Sequence, residues 1–580
     1  MENINVKING VNVSAPKGST ILQAARIAGI HIPTLCYLRE INEIGACRIC
    51  MVEVKGAKSL VASCVYPINK GMEIYTGTKK VLDSRRKTLE LILSTHERKC
   101  LSCVRSGNCE LQKLSKDFGV EDEGLYDGER NEYEIDYSAP HMYRDNNKCI
   151  LCRRCVAACE KVQNVGVIGA NERGFETNIS CAFEMDLNDT SCISCGQCIA
   201  ACPTGALSEQ DSTNEVWNVL GDETKHVVVQ TAPATRAGLG EEFGYPMGTN
   251  VEGKMVAALR RMGFDKVFDT NFSADLTIME EATEFLDRVQ NNGVLPMITS
   301  CSPGWVKYCE HYFPDMLDNL SSCKSPQQMF GAVTKTYYAE KMGIDPKDIV
   351  VVSAMPCTAK KFEIGREDQS ASGYPDVDMV ITTRELARMI KKAGINFDSL
   401  PDESYDSPLG EGSGAGVIFG ATGGVMEAAL RTAVEKLSGE ELENLDFNDV
   451  RGTAGIKEAS YDVAGTEVKV AVASGLANAK KLLEMVQSGE KTYHFIEIMG
   501  CPGGCVNGGG QPIVSADVRN NCDVKAIRAK ALYDSDAANQ IRKSHENESI
   551  KKLYADYLES PGSHKAHKIL HTSYVERSIM

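Results

Sequence analysis

The sequence has no long hydrophobic run and no excess of positive charge, and its first residues lack the pattern expected of a secretory leader. No apolar stretch reaches the roughly 18 residues that a membrane-spanning helix requires, so we expect no membrane span. The first ten residues, MENINVKING, have neither the basic start nor the apolar core of a signal peptide, and we expect a cytoplasmic protein. The net charge of −16 argues against nucleic acid as the main partner, because phosphate binding favours a basic surface.

Cysteine, in contrast, is abundant. The 580 residues include 23 cysteines, and 16 of them precede residue 203. In a cytosolic protein this density indicates bound metal rather than disulfide bonds. The chain is long enough for several domains, and the cysteine spacing has to tell which metal each domain binds.

Residues 1–80 carry the pattern of a plant-type ferredoxin fold. Apolar and polar residues alternate on both sides of a turn predicted at Asn9 and Gly10, which indicates a β-hairpin. A short helix is predicted over residues 20–28, and Gly29 can close it. A cysteine-bearing loop follows.

This loop supplies the first candidate metal site, with the pattern C-x10-C-x2-C and one cysteine further on: Cys36, Cys47, Cys50 and Cys64. Thiolates suit iron–sulfur clusters, and a loop that supplies three of four ligands is the plant-type arrangement. The first spacing is longer than the four residues of plant-type ferredoxins. It resembles the N-terminal domain of hydrogenases and of the large iron–sulfur subunit of respiratory complex I. A zinc ribbon is the alternative, and the hairpin–helix context favours a 2Fe–2S cluster.

Residues 81–140 begin as a helix and then present an H-x3-C-x2-C-x5-C pattern: His96, Cys100, Cys103 and Cys109. Taken alone, this set indicates structural zinc, which often has three cysteines and one histidine. Because it follows the first motif, it resembles the histidine-ligated 4Fe–4S site of the same families. Imidazole in place of one thiolate would tune the cluster potential.

Residues 141–210 contain two bacterial ferredoxin runs, the second followed by Pro203. In this pattern the fourth cysteine of each run binds the other cluster. The first predicted 4Fe–4S cluster therefore takes Cys149, Cys152, Cys155 and Cys202, and the second takes Cys159, Cys192, Cys195 and Cys198. A double zinc site is a poor alternative. Cys181 fits no set and is predicted to be a free thiol.

From residue 211 onward, apolar runs typical of buried strands alternate with helical patterns. The runs are 226–230, 295–298, 349–352, 377–381, 468–473 and 494–499. The alternation predicts a largely parallel sheet, or two, covered on both faces. Three runs lead directly into loops with Cys301, Cys357 and Cys501. Because open α/β sheets place their sites beyond the carboxyl ends of strands, we expect these cysteines to converge.

Three segments of this region support a catalytic hypothesis. They read TSCSPGW from Thr299, MPCTAKKFE from Met355 and EIMGCPGGCVNGGG from Glu497. Their first cysteines lie 56 and 144 residues apart. The glycines of the third segment allow close backbone approach to a bulky cofactor. All three in this order are far more specific than any one alone.

The three segments resemble the active-site signatures of iron-only (FeFe) hydrogenases. With the accessory motifs, the resemblance to the monomeric clostridial type covers nearly the whole chain. It implies a multidomain protein of the α+β and α/β classes: a β-grasp 2Fe–2S domain (1–80), a small 4Fe–4S domain with one histidine and three cysteine ligands (81–140), a bacterial two-cluster ferredoxin domain (141–210) and a two-lobed α/β catalytic domain (211–580).

The resemblance also implies an active cofactor, the H-cluster. This is a 4Fe–4S cluster bridged by a cysteine thiolate to a two-iron unit that carries CO, cyanide and azadithiolate ligands. By match, the ligands are Cys357, Cys501 and Cys505, the last forming the bridge. Met355, Lys360 and Met499 would line the two-iron unit.

Lys360 would bond a cyanide nitrogen. A buried lysine without a partner is costly, and an anionic cofactor ligand would explain it. The alternative is a surface charge after a turn. Further residues expected near the cofactor are Pro233, Ala234, Pro326 and Gln327. The family often has serine at the position of Ala234, so a hydrogen bond to a cyanide would be missing.

One position departs from the family pattern. The commonest form has two adjacent cysteines, one a ligand of the 4Fe–4S cluster and the other the proton donor, where this chain has Cys301 and Ser302. By register, Cys301 falls on the proton donor and Ser302 on the ligand. Either Cys301 binds the cluster or Ser302 supplies an oxygen ligand. The preference of iron–sulfur sites for thiolate favours the first option without deciding between them.

A proton path is also implied by the resemblance. Glu281, Glu284 and Arg288 are spaced to share one helix face, and with Ser321 and Cys301 they match the path of the family. Carboxylates and thiols can relay protons because burial shifts their pKa values. Without the family match, a solvated helix face with an ion pair would be favoured. Cys309, Cys323 and Cys522 match nothing and are predicted to be structural.

Three functional hypotheses remain. The first is a hydrogenase that forms or oxidises H2 and exchanges electrons with ferredoxin or a similar small carrier. It would depend on maturation proteins for its two-iron unit and would be a monomer or small homo-oligomer. The second is the catalytic subunit of an NAD(P)-linked or electron-bifurcating complex, since this chain has no convincing nucleotide or flavin fingerprint. The third is a non-enzymatic electron-transfer or assembly protein, whose known relatives lack the full third segment.

Overall fold

The N-terminal part of the chain is a small mixed sheet with one helix. The computed structural model describes residues 2–121, 126, 128–463 and 466–579. The elements of this part are β1 (Asn3–Ile8), β2 (Val11–Pro16), α1 (Ile21–Ile27), β3 (Met51–Val54), β4 (Val61–Ala62) and β5 (Glu73–Tyr75). The strand order is β2-β1-β5-β3-β4, with β1 and β5 parallel. The predicted hairpin and helix are confirmed: Asn9 and Gly10 form the turn with positive φ, and Thr20 caps α1.

Two segments with little regular structure follow. The first has helices α2 (Lys79–Thr95) and α3 (Glu110–Asp117). The second has β6 (Met142–Arg144), α4 (Arg154–Ala157), β7 (Gly169–Asn171), β8 (Asn178–Ser180), α5 (Gln197–Ala201) and β9 (Leu207–Glu209). In the second segment, β6 pairs with β9 and β7 with β8, both antiparallel. Several cysteines are part of its small core, which suits a fold held together by metal.

The region after residue 211 contains two four-stranded sheets. Its strands are β10 (His226–Thr231), β11 (Lys266–Asp269), β12 (Met297–Ile298), β13 (Ile349–Met355), β14 (Met379–Thr382), β15 (Ile456–Val463), β16 (Thr466–Ser474) and β17 (Phe495–Met499). The first sheet is wholly parallel, in the order β11-β10-β13-β14. The second has the order β12-β17-β16-β15, and its only antiparallel pair is β15 with β16. The prediction of two largely parallel sheets is confirmed.

Helices cover both faces of the sheets. They are α6 (Thr213–Leu220), α7 (Pro233–Gly238), α8 (Glu252–Arg261), α9 (Thr270–Gln290), α10 (Pro303–Tyr312), α11 (Pro326–Val333), α12 (Ala339–Met342), α13 (Ala359–Glu363), α14 (Thr383–Lys392), α15 (Gly414–Ile418), α16 (Gly424–Ser438), α17 (Leu476–Gln487), α18 (Ala516–Arg519), α19 (Val524–Ala538), α20 (Glu548–Leu553) and α21 (His564–Leu570). Along β13, Val351 packs into one apolar core and its neighbours Val350 and Val352 into another. This alternation buries both faces of the sheet, as expected for parallel strands.

Helix α14 begins with a hydrogen-bonded cap at Thr382. Thr382 accepts a hydrogen bond from the Glu385 amide, and the Glu385 side chain accepts one from the Thr382 amide, which forms a capping box. None of the helices in the described part of the chain combines the length and the apolar character that a membrane crossing requires.

Candidate metal centres

Strand ends from both sheets converge on one cavity. The strands β12 and β17 are parallel neighbours in the second sheet and lead to Cys301 and Cys501, whereas β13 of the first sheet leads to Cys357. A cavity lined by all three loops lies between them. Its wall includes Cys301, Ser302, Cys357, Lys360, Cys501 and Cys505, together with Pro233, Pro326, Gln327, Met355 and Met499. The structure therefore brings together nearly all the residues that the sequence analysis places around the cofactor.

Ala234 is the exception. It is fully buried behind the cavity wall and packs in a small apolar cluster with Leu532, against which Cys505 also lies. Its carbonyl oxygen accepts a hydrogen bond of 2.7 Å from the Gln511 side chain. Ala234 thus supports the loop of Cys505 from behind rather than lining the cavity.

The three cysteine thiols of the cavity suit a bound iron–sulfur group. Burial raises the pKa values of Cys357, Cys501 and Cys505, and neighbouring thiols contribute to the shift at the last two. Buried thiols that resist ionisation in the free protein are stabilised when a metal binds them as thiolates. The two loops that carry them pack closely together, since a methyl group on Gly508 would lie 2.1 Å from the Pro356 carbonyl oxygen. These features fit the H-cluster.

Lys360 has partners within the protein. Its ammonium group lies 2.9 Å from Glu363 Oε2, 2.8 Å from Ser325 Oγ and 3.4 Å from the Cys301 carbonyl oxygen. The expectation of a buried lysine without a partner is therefore wrong, because Glu363 compensates its charge. Lys360 nevertheless lines the cavity, where it presents positive charge to an anionic ligand.

The residues of the predicted proton path lie near one another, on helix α9 and in the loops beside it. Glu284 forms an ion pair of 2.6 Å with Arg288 and accepts a hydrogen bond of 2.9 Å from Ser321 Oγ. Glu281 is fully buried, and neither carboxylate oxygen has a hydrogen-bond partner. Burial and the nearby carboxylate of Glu284 raise the pKa of Glu281 to about 8. Burial and the charge of Glu281 also raise the pKa of Cys301.

The cysteines of the N-terminal loop lie together. The Sγ atoms of Cys50 and Cys64 are 3.3 Å apart, and the Cys47 amide donates to Cys36 Sγ at 3.5 Å. Four thiols in such a small space, in an unbridged form, fit a metal cluster.

His96 ends helix α2 and is buried with its Nδ1 atom unpartnered. Burial, with the nearby charge of Lys148, lowers its pKa to about 4, so the ring is a neutral imidazole that can bind metal. Cys100, Cys103 and Cys109 follow in a short 3-10 turn and at the start of α3. An unpartnered buried nitrogen, followed along the chain by three cysteines, fits a metal site of this composition.

The two ferredoxin runs form two thiol groups. Burial and the thiols of Cys152, Cys202 and Cys149 raise the pKa of Cys155. The thiols that most raise the pKa of Cys198 are those of Cys192 and Cys159. This arrangement agrees with the predicted exchange of the fourth cysteine between the runs.

Both N-terminal sites contact the first of these groups. The Asn42 side chain donates to the carbonyl oxygens of Cys36 and Cys152, at 2.8 Å and 3.0 Å. Arg105 Nη1 donates to the Cys202 carbonyl oxygen at 2.9 Å, close to the His96 site. The N-terminal cysteine loop and the His96 segment thus both contact the group that includes Cys152 and Cys202.

The second group adjoins the cavity. Thr358 Oγ1 donates to the Ser194 carbonyl oxygen at 2.8 Å, and the Gln197 side chain donates to the Asn507 carbonyl oxygen at 2.9 Å. A methyl group on Gly509 would lie 2.3 Å from the Cys195 carbonyl oxygen. The segments that carry these cysteine groups therefore contact one another in turn, from the N-terminal part to the cavity.

Two buried carboxylates were not assigned a role from the sequence. Glu363 Oε2 accepts hydrogen bonds from the side chains of Lys360, Ser325 and Gln327. The i,i+3 spacing of Lys360 and Glu363 was the available signal for their ion pair. Glu497 accepts hydrogen bonds from the amides of Gly423 and Met426, at the start of α16. These partners are distant in sequence, and no pattern indicates them.

The cysteines outside the metal groups differ in their surroundings. Cys309 and Cys323 are buried, as their predicted structural role requires, and Cys323 Sγ lies 3.8 Å from Glu284. Cys522 is exposed, so the prediction of a structural role is wrong for this residue.

Family models match five consecutive parts of the chain. They are a 2Fe–2S iron–sulfur cluster binding domain (1–79), the iron–sulfur binding region of NADH-ubiquinone oxidoreductase G (85–123), a 4Fe–4S dicluster domain (148–206), the C-terminal domain of the iron-only hydrogenase large subunit (225–509) and the iron hydrogenase small subunit (522–577).

Full-length relatives carry the same arrangement. The NADP-reducing hydrogenase subunit HndD of Solidesulfovibrio fructosivorans is 51% identical over the whole of both chains. Iron hydrogenase 1 of Clostridium pasteurianum is 46% identical over 98% of this chain and 99% of its own. Among solved structures, an apo FeFe-hydrogenase of Chlamydomonas reinhardtii matches with 44% identity and a TM-score of 0.57, over 64% of this chain and all of its own.

The chain therefore belongs to the iron-only (FeFe) hydrogenase family. It is an oxidoreductase that acts on hydrogen, with iron–sulfur clusters of the 2Fe–2S and 4Fe–4S types and the H-cluster of that family.

Proposed function

We propose that this hydrogenase exchanges electrons with ferredoxin or a similar small carrier and interconverts protons and H2 at the cavity of Cys357, Cys501 and Cys505. The observation that carries this proposal is the contact between that cavity and the second ferredoxin group, at Gly509 and Cys195. A catalytic pocket joined directly to a metal group supports an enzyme that receives electrons from outside.

The proposed cofactor set comprises one 2Fe–2S cluster, three accessory 4Fe–4S clusters and the H-cluster, held in the four predicted domains. The accessory clusters supply one-electron transfer, and the H-cluster supplies the hydrogen chemistry. The protein would hold and orient these groups through the cysteine and histidine ligands named above, and apolar side chains such as Phe419, Met355 and Met499 line much of the cavity.

Protons would reach the cavity through side chains of this chain. Glu284, near the surface, is oriented by Arg288 and Ser321, and Glu281 lies deeper, between Glu284 and Cys301. Because the pKa of Glu281 is about 8, this carboxyl group can both hold and release a proton near neutral pH. Lys360, held by Glu363, would position the cofactor through its charge.

A second candidate function is the catalytic subunit of an NAD(P)-linked or electron-bifurcating complex. The name of the full-length relative from Solidesulfovibrio fructosivorans, which is 51% identical, favours it. In that case electrons would pass between this chain and a nucleotide-binding partner chain.

One experiment separates the two. Anaerobically matured chain is assayed for H2 evolution from reduced ferredoxin and, separately, for H2-dependent reduction of NADP+. We expect H2 evolution with ferredoxin and no reduction of NADP+ by the chain alone. Cys522→Ser, at an exposed cysteine, is the control that should keep activity, and Cys505→Ala should lose it. Activity that appears only when a nucleotide-binding chain is added would overturn the first assignment in favour of the second.

A further inference from the structure

Two adjacent side chains are candidates for the fourth protein ligand of the active-site 4Fe–4S cluster. A cubic cluster takes four protein ligands, and the proposed function assigns three of them to Cys357, Cys501 and Cys505. Both Cys301 and Ser302 reach the same cavity. Composition alone favours Cys301, because iron prefers thiolate. The surroundings of the two side chains point the other way.

Ser302 turns its hydroxyl group toward the cluster ligands instead of its own helix. It is the N-cap residue of α10, a position where serine commonly accepts a hydrogen bond from an amide of the first turn, yet its side chain makes no such bond. Its Oγ atom instead accepts a hydrogen bond of 3.1 Å from the Gly500 amide, immediately before Cys501. The first turn of α10 therefore lacks a side-chain cap from this serine.

The loop is also shaped around this hydroxyl group. A methyl group on Gly500 would lie 3.2 Å from Ser302 Oγ, so the absence of a side chain there allows the close approach of the two segments. An oxygen atom held against the backbone of the Cys501 loop lies on the side of the cavity where the cluster ligands are.

Cys301 lies in different surroundings. It packs against the apolar core that includes Ala274, Phe419 and Met499, on the side of helix α9. This packing places Cys301 beside the helix that carries Glu281, whereas Ser302 Oγ contacts the backbone immediately before Cys501.

We propose that Ser302 Oγ, and not Cys301 Sγ, is the fourth ligand of the active-site 4Fe–4S cluster in this chain. On ligation, the Ser302 hydroxyl group loses its proton to solvent and an iron–oxygen bond forms, with no change in oxidation state. The cluster then has three cysteine ligands and one serine ligand, and Cys301 stays free. Because oxygen is a harder ligand than sulfur, it favours the ferric level and lowers the reduction potential of this cluster relative to an all-cysteine set.

The test depends on the proposed function only because it requires the active-site 4Fe–4S cluster to be present. Full-length chain is produced without the maturation proteins, so that it has iron–sulfur clusters and no two-iron unit, and its serine residues carry oxygen-17 in the hydroxyl group. After reduction, electron–nuclear double resonance reports any oxygen-17 nucleus bonded to a paramagnetic cluster. The accessory sites have no serine ligand and serve as an internal blank.

We expect an oxygen-17 coupling in the wild-type chain and in Cys301→Ala, with equal iron content in both. In Ser302→Cys the coupling should disappear while the cluster stays and its midpoint potential rises. No coupling in the wild-type chain, with its iron content complete, would overturn the proposal, as would loss of one cluster in Cys301→Ala. Infrared bands of CO and cyanide in matured protein report separately on the proposed function, so the two failures are distinguishable.

Discussion

Gly509 and Cys195 touch so closely that a methyl group on the glycine would lie 2.3 Å from the cysteine carbonyl oxygen. Gly509 belongs to the loop that follows Cys505, and Cys195 belongs to the second ferredoxin group. The contact joins the catalytic cavity to the accessory sites through backbone alone. Any side chain at position 509 would therefore separate them.

Gly509→Ala should force this contact apart, at a cost of about 1–3 kcal/mol for an overpacked interface. We expect H2 to reduce the accessory clusters more slowly, as measured by freeze-quench electron paramagnetic resonance. The infrared bands of the active site should stay unchanged. The control is Gly128→Ala, where the added methyl group has open space. Unchanged kinetics in Gly509→Ala would mean that electrons do not cross at this contact.

Glu281→Gln should lower the turnover number by about 100-fold or more, because a relay residue of this kind contributes that much to proton transfer. Glutamine has nearly the same shape and cannot exchange the proton. Iron content and infrared bands should match the wild type. Normal H2 evolution by this variant would rule out Glu281 as a relay.

The protonation state of Glu281 itself can be followed by infrared difference spectroscopy. Its pKa is raised from 4.5 to about 8, first by burial and then by the charge of Glu284, so the carboxyl group is protonated at neutral pH and ionises as the pH rises through about 8. We expect a carboxylic acid carbonyl band that disappears over this range and is absent in Glu281→Gln. A band that titrates near 4.5 would contradict the burial of this group.

Ser321→Ala removes the hydroxyl group that donates to Glu284 Oε2. A hydrogen bond to a charged group is worth about 1.5 kcal/mol or more, so turnover should fall roughly 10-fold. The matched control is the neighbouring Ser322→Ala, whose hydroxyl group pairs with His571 rather than with Glu284. Equal turnover in both variants would show that the orientation of Glu284 does not limit the rate.

Much of the fold and of the metal sites could be predicted because the signals are local. Cysteine spacing identified the accessory sites, and apolar runs identified six strands. In the region after residue 211, two strands were missed: β11 spans only Lys266–Asp269, and β15 interleaves apolar with polar and charged residues instead of forming a continuous run. Such a pattern is a weaker signal in the sequence than the continuous apolar run of a buried parallel strand.

Contacts between distant segments could not be predicted from the sequence. The hydrogen bonds of Glu497 to the start of α16 and the closeness of Gly509 to Cys195 depend on tertiary packing. The pairing of Lys360 with Glu363 could have been found from their spacing, but a short loop motif does not indicate which charges become buried. The positions of Cys301 and Ser302 likewise required the packing of α10 against the Cys501 loop.

We propose that the cavity of Cys357, Cys501 and Cys505 holds the two-iron unit of the H-cluster. Infrared spectroscopy of anaerobically matured protein tests it most directly, because iron-bound CO and cyanide absorb where proteins do not. We expect bands of both ligands in the wild-type chain and their loss in Cys505→Ala. Absence of these bands in wild-type protein with its accessory clusters intact would contradict the claim and leave an electron-transfer protein.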